Sequence, residues 1–491
     1  MRSIPMETLE QRQLFSGGLP PIPLAVLGTA GADIINVRLD DAGKNVLWAV
    51  NGQKHATSLA SVHSIVIQSF GGADQINVGP LTSGLSVSIN AGAGSDNIYL
   101  GANGGKMSYL TSGNVTISGD SNPNSLPGSG IDKDSVFVSA FNENIANQSD
   151  RFDFYANKMH LGGLVPGVGN IVGIDVNFTG VEDFTFSGPL TKSAIYTVHS
   201  VSQGSTTRVF TGQPVGGDSI YVGDGDLDKN IAGNLDLHGY YGFNDWVYLS
   251  DNKALNGHVY NMKDNVLKTL QQRSITLPEL SHVVLSATNW KDKLDVEGGY
   301  KFGSLKSFAV YGNNGGDELD FGSGALKLAA LNNVPIYVDP GAGIDRILMQ
   351  DGWNQKPAVY HLTQGKFSND YGATMTFAPS TETFAVGGGY VGSTFDIVPG
   401  TATRYQLYGH LLSPNGGGET WLSLGLAGVG MTSFQSTGPN QGTYWFSYRM
   451  PVDIWDFSHV PDLKASAKSS AHGVTRSVSV AERLFSDAAI A

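Results

Sequence analysis

The sequence predicts an all-β fold, a parallel β-solenoid built from irregular coils of roughly 20–30 residues. Three observations lead there. Strand-length stretches alternate apolar and polar residues, as Leu85, Val87 and Ile89 alternate with Ser86, Ser88 and Asn90; a period of two places the apolar set on one face. A corner rich in glycine and aspartate follows, here Ala91-Gly92-Ala93-Gly94-Ser95-Asp96, made of residues that tolerate positive φ or bond their own backbone. The second half of this unit, Asp-x-apolar-x-apolar, then recurs at Asp33, Asp74, Asp96, Asp134, Asp150, Asp218, Asp245, Asp292, Asp317 and Asp345. Steps of 22, 25, 27 and 28 residues separate some copies and steps of 38, 41 and 47 separate others. The longer steps are near two coils, so the coils carry insertions.

Composition narrows the function classes. The 64 glycines among 491 residues suit many short strands and turns. With no cysteine there is no disulfide framework and no thiolate metal site. A net charge of −13 argues against a nucleic-acid partner, whose binders present a basic face. It is compatible with a surface protein or a cation binder. No apolar run is long enough for a transmembrane helix.

Residues 1–20 read as a leader or sorting segment, closed by Gly17, Gly18 and prolines. Residues 21–463 carry the repeats. Within them, Val46–Val50 leads into Asn51-Gly52, a hairpin turn signal. Val62–Ile67 leads into the Asp74 corner, and residues 121–130 (SNPNSLPGSG) form a loop by composition. A second pattern, two alternating strands across a small kink, appears at Val176–Phe184, Ile275–Val283 and Val452–Val460. A closing module occupies about 390–463, and the Ala/Ser-rich 464–491 reads as a flexible tail, in which Val480–Ala491 suits a short helix.

Several stretches carry a family resemblance. Leu9-Glu10-Gln11-Arg12-Gln13-Leu14-Phe15 resembles the LEPR-x-LL-type segment near the start of long bacterial surface proteins, with Gln11 for its proline and Phe15 for its second leucine. An ordinary amphipathic helix over Met6–Leu14 is the alternative. The run GGDSIYVGDGDLDKNIAGNLDLHGYYGFNDWVYLSD from Gly216 resembles modules of exported bacterial β-strand-repeat proteins, and Phe395–Val460 resembles their closing module. Gly71-Gly72-Ala73-Asp74, Gly216-Gly217-Asp218 and Gly315-Gly316-Asp317 resemble half of the Gly-Asp nonapeptides of RTX (hemolysin-type) proteins. The resemblance implies an extracellular or cell-surface location and calcium at the corners. Because the copies here are isolated rather than consecutive, that calcium cage does not transfer whole.

The candidate calcium ligands are Asp74, Asp96, Asp218, Asp317 and Asp345 at the corners, and Asp224, Asp226 and Asp228 in the run Asp-Gly-Asp-Leu-Asp. Alternate carboxylates in a loop begin many oxygen-only calcium sites. Lys229 and Leu235 stand where an EF-hand needs Gly and Glu. The competing reading is that the corner aspartates cap backbone N–H groups. For catalysis there is no H-E-x-x-H, G-x-S-x-G or P-loop motif. Glu182-Asp183 is half of a carboxylate pair, but it lies in the repeated kink. Tyr99, Tyr221 and Tyr248 sit between apolar strand positions and face outward, available for sugar stacking or simply suited to a strand.

These features point to a non-enzymatic exported or cell-surface structural or adhesive repeat protein, calcium-stabilised if the corners bind metal. The partner would be the cell envelope or an extracellular polysaccharide. A β-helical polysaccharide-active lyase or hydrolase is the alternative, and a groove collecting Asp, Lys and Arg would favour it. Irregular antiparallel sandwiches are the competing architecture.

Overall fold

The computed structural model describes residues 22–397 apart from short segments, the longest being 102–113, 120–132 and 141–149, and beyond 397 it describes Thr403 and the strands. The fold is all-β and solenoid-like. Each coil runs a strand in a first sheet, turns a forward corner, runs a strand in a second sheet and returns. In the first sheet Ile22–Leu27, Val62–Gln68, Ser86–Asn90, Val115–Ser118 and Ile174–Thr179 pair in parallel, one after another. In the second sheet the order is Ile34–Leu39, Gln75–Val78, Asn97–Leu100, Ser135–Ser139 and Asp183–Ser187, again parallel.

Alternation decides which side chains meet. Ile65, Ile67, Ile76, Val78, Val87, Ile89, Ile98 and Leu100 all point between the sheets and are buried. Register then stacks like on like, Ile65 on Val87 and Ile76 on Ile98 on Val136. Each such side chain contributes about 1.5–3 kcal/mol relative to exposure. Farther along, the core widens with Phe152, Phe154, Phe184, Phe186 and Tyr196, whose rings pack against one another. The corners approach so closely that some tolerate only glycine. Gly94, at φ +123°, lies where a Cβ would collide with the carbonyl oxygen of Gly72 one coil below.

Antiparallel hairpins interrupt this parallel stack without ending it. Asn45–Val50 and Gln53–Ser58 extend the second sheet beyond Ile34–Leu39, joined by Asn51 and Gly52, both at positive φ as that turn signal requires. Asp150–Tyr155 and Lys158–Gly162 insert two strands into the first sheet, between Ile174–Thr179 and Ala194–Val198. The Asp150 copy of the repeat therefore opens a hairpin strand, unlike the other copies. Val259–Lys263 and Val266–Lys268 insert two strands into the second sheet, between Ser274–Thr276 and Lys293–Glu297. A third pair, Ala358–Thr363 and Lys366–Asn369, enters the first sheet between Thr374–Phe377 and Ser393–Ile397. Hairpin signals thus coexist with a solenoid, because an even number of antiparallel strands restores the parallel direction.

Between the first two insertions the sheets run two strands out of step, about 10 Å at the strand spacing. The chain there passes from Ser219–Val222 in the first sheet to Asn234–His238 in the second. Its forward corner is long enough to hold a short helix, Leu227–Asn230. The kink pattern also resolves into two geometries. At Ile174–Thr179 to Asp183–Ser187 it is a forward corner; at Ser274–Thr276 to His282–Ser286 it is a return corner, with Glu279 at φ +65°.

The closing module continues the alternation through Ser393–Ile397, Arg404–His410, Thr420–Leu424, Thr432–Gln435, Tyr444–Ser447 and Val452–Trp455. The expected tail contains an antiparallel pair, Lys464–Lys468 with Thr475–Ser479. The leader 1–20 and the segment 480–491 lie outside the described residues.

Candidate functional site

The recurrent aspartates form three hydrogen-bonded ladders along the corners. In the first, the backbone N–H of Asp33 donates to Asp74 Oδ1 (2.7 Å), that of Asp74 to Asp96 Oδ1 (2.8 Å), that of Asp96 to Asp134 Oδ1 (2.9 Å) and that of Asp134 to Glu182 Oε2 (2.9 Å). The third repeats the design: His258 N–H donates to Asp292 (2.6 Å), Asp292 to Asp317 (2.8 Å), Asp317 to Asp345 (2.8 Å) and Asp345 to Glu382 (2.9 Å). Both run along the forward corner. The second ladder lies on the return corner, where Ala194 N–H donates to Asp218 (2.7 Å) and Asp218 N–H to Asp245 (2.8 Å). It occupies the stretch in which the sheets are out of step. Each of these forward ladders ends on a glutamate in a coil whose first-sheet strand adjoins an inserted hairpin.

The ladder carboxyls are buried. Asp74, Asp96, Asp218, Asp245, Asp292, Asp317 and Asp345 are each 1% exposed or less. Burial penalises the charged form. It pushes Asp218 and Asp317 up to about 7 and Asp345 up to about 6, with neighbouring rungs adding repulsion. Asp74, Asp245 and Asp292 move up for the same first reason. Asp33, at the end of the first ladder, goes the other way. Burial opposes its charge, but bonds from Thr29 and Asn51 outweigh that and hold it below the usual carboxylate range. In Asp317 one oxygen takes the Asp292 N–H while Oδ2 is buried with no hydrogen-bond partner. A proton on Oδ2 removes the buried charge.

The Asp224-Gly225-Asp226-Leu227-Asp228 run is split among separate partners. Asp224 accepts from His199 Nδ1 at 2.7 Å. Asp226 caps the short helix, accepting from the Lys229 N–H at 3.0 Å. Asp228 is buried, with Oδ2 3.7 Å from His258 Nε2. The eight carboxylates named from sequence as calcium ligands thus meet backbone amides or histidines. Among the described residues no three His, Asp or Glu side chains converge as a metal-binding group.

The outward tyrosines are placed on the strands as the alternation predicts, and each stacks on a neighbouring ring. Tyr221 stacks on Tyr248 at 4.9 Å, Trp246 on His282 at 4.1 Å and Tyr99 on Phe137 at 4.8 Å, all within 13° of parallel.

Other groups emerge only through pairing. On the outward side of the second sheet, Asp295 and Asp320 are register partners, and Lys293, Glu318 and Arg346 form the neighbouring row. Lys293 bridges Asp295 at 3.0 Å. Burial raises Asp320 to about 6; Gln350 donates to its Oδ2 and its Oδ1 has no hydrogen-bond partner. The histidines His199 and His258 and the fully buried Asp251 likewise carried no distinguishing spacing in the sequence. No protein-family model matches the chain, and no curated protein is significantly similar to it.

Proposed function

We propose that the chain is an exported or cell-surface structural repeat protein, acting as a spacer or adhesive scaffold without catalytic activity. One observation carries this reading. The chemical groups repeated along the solenoid are spent between its own coils, carboxylates on backbone amides and ring faces on rings. A repeat whose recurrent chemistry is internal builds length and rigidity. The test is protease shaving of intact cells that produce the protein natively. Release of solenoid fragments supports the reading; full protection in intact cells, with cleavage only after lysis, overturns the surface placement.

A second reading, polysaccharide cleavage, has its own observation in Lys293, Asp295, Asp320 and Arg346 on one outward face. Register partners lie about 5 Å apart, a separation that suits a carboxylate pair in a retaining glycosidase. A raised Asp320 beside Asp295 has the unequal titration that acid–base work requires. Incubation with a panel of acidic and neutral polysaccharides, followed by reducing-end assay, discriminates the two. Product formation abolished by Asp320→Asn establishes the enzyme; no product on any polymer leaves the structural protein.

A further inference from the structure

The forward corner between the two long ladders carries a different chemistry. Here the aspartate column gives way to two histidines, each held between two carboxylates. His199 places Nδ1 2.7 Å from Asp224 and Nε2 3.3 Å from Asp153, and its ring stacks on Tyr155 at 4.4 Å. Asp153 also accepts from Arg151 Nε at 3.1 Å, and Lys158 lies close enough to act on Tyr155. His258 places Nδ1 2.7 Å from Asp251 Oδ2 and Nε2 3.7 Å from Asp228 Oδ2. Around it, Tyr260 donates to Asp251 Oδ2 (2.6 Å), Leu227 N–H donates to Asp251 Oδ1 (2.7 Å), and Arg273 donates to the Asp228 carbonyl oxygen (2.7 Å). Asp292 faces the same residue by accepting its backbone N–H.

A neutral imidazole donates from one nitrogen only, whereas the charged ring donates from both. Both nitrogens of each ring face carboxylates, so each arrangement is complete only when the ring is charged. Asp228 makes the requirement sharper: it is buried, and its Oδ1 has no hydrogen-bond partner. We propose that this corner column, from His199 through Asp224, Asp228 and Asp251 to His258, is a proton-operated seam: charged histidines lock the out-of-step coils, and their deprotonation loosens the corners 223–233 and 251–258. A bond to Asp153, with a further bond to Asp224, holds His199 above the ordinary histidine value against burial, and a bond to Asp251 does the same for His258. Raised folded-state values mean that the locking is whole below the ordinary histidine pKa and is lost as pH rises through the raised ones. His238 and His282 are pushed down by burial and act in the opposite sense, so a global melting curve mixes the two signs.

Amide hydrogen exchange on the full chain, corrected for intrinsic rates, reads the seam locally between about pH 5.5 and about pH 8.5. Protection in 223–233 and 251–258 is expected to fall about tenfold for each unit by which the histidine pKa values are raised, a larger fall than in 62–68 and 86–90. His258→Gln is expected to flatten the profile at the unprotected level. Asp228→Asn is expected to move its midpoint to lower pH. A flat profile in the native chain, or a His258→Gln profile matching the native one, overturns the proposal. Should His258→Gln fail to fold, an NMR titration of the native ring decides: a His258 pKa at or below the ordinary value also overturns it.

Discussion

Asp317 shows what one rung of a ladder does. Its Oδ1 holds the Asp292 N–H and its own N–H reaches Asp345, so one residue joins three coils. Removing the acceptor with Asp317→Ala strands a buried N–H, which costs about 1–3 kcal/mol. Asp317→Asn keeps the acceptor and is neutral at every pH. Because the folded-state pKa of Asp317 is raised to about 7 by burial, its contribution is whole below the unfolded value near 4 and is lost as pH rises through about 7. Urea denaturation should therefore find Asp317→Asn close to the native protein at pH 5 and more stable than it near pH 8. Equal stability of the two at both values would show that Asp317 does not gain a proton on folding. The aspartates and their spacing were legible in the sequence, as was the capping reading. Which atom each carboxyl binds was not, because the donor belongs to a residue 22 to 41 positions away.

At the scale of elements, two of the three inserted hairpins work as a pair. Asp150–Gly162 lengthens the first sheet by two strands and Val259–Lys268 lengthens the second by two. Together they return the sheets to step before Lys293–Glu297. Excising either one leaves an offset of about 10 Å that later corners must absorb. Each single excision is thus expected to lower the melting temperature more than the double excision does, a non-additivity that circular dichroism can measure. Additive losses would mean that the corners adapt independently. The hairpin read from local residues was a different one, Asn45–Val50 with Gln53–Ser58, through its Asn51-Gly52 turn. Asp264 and Asn265 take the same positive φ angles without a glycine, so that turn left a weaker signal.

Across the whole molecule, the titrating groups have a prevailing direction. Asp74, Asp218, Asp245, Asp292, Asp317 and Asp345 are raised by burial, and His199 and His258 by their carboxylates. All of these lose stability as pH rises. Asp153 and Asp175 are held low by their hydrogen bonds against burial, and they lose stability as pH falls toward the carboxylate range. The melting temperature is accordingly expected to peak in mild acid and to decline between about pH 5 and about pH 8. A melting temperature that climbs over that interval would contradict the buried-acid account. The same melts with millimolar calcium and with EDTA separate the two readings of the corners: coincident melts leave the carboxylates as caps on backbone amides. A calcium-dependent rise would instead assign the second ladder oxygens to metal.

Local pattern determined the fold class. The period-two alternation sets which residues face inward, and Gly-Asp corners at coil-sized steps set where the chain turns. Both are properties of short segments, so they survive in a sequence read alone. Tertiary structure decided everything that depends on which strand lies beside which. It determined that the aspartates stack into ladders, that the ladder changes corners where the sheets fall out of step, and that Asp224, Asp226 and Asp228 part company toward a histidine, a helix N-terminus and a second histidine. Lys293, Asp295, Asp320 and Arg346 share a face for the same reason. Register between strands tens of residues apart is fixed by packing of the whole stack, and no single segment carries that information.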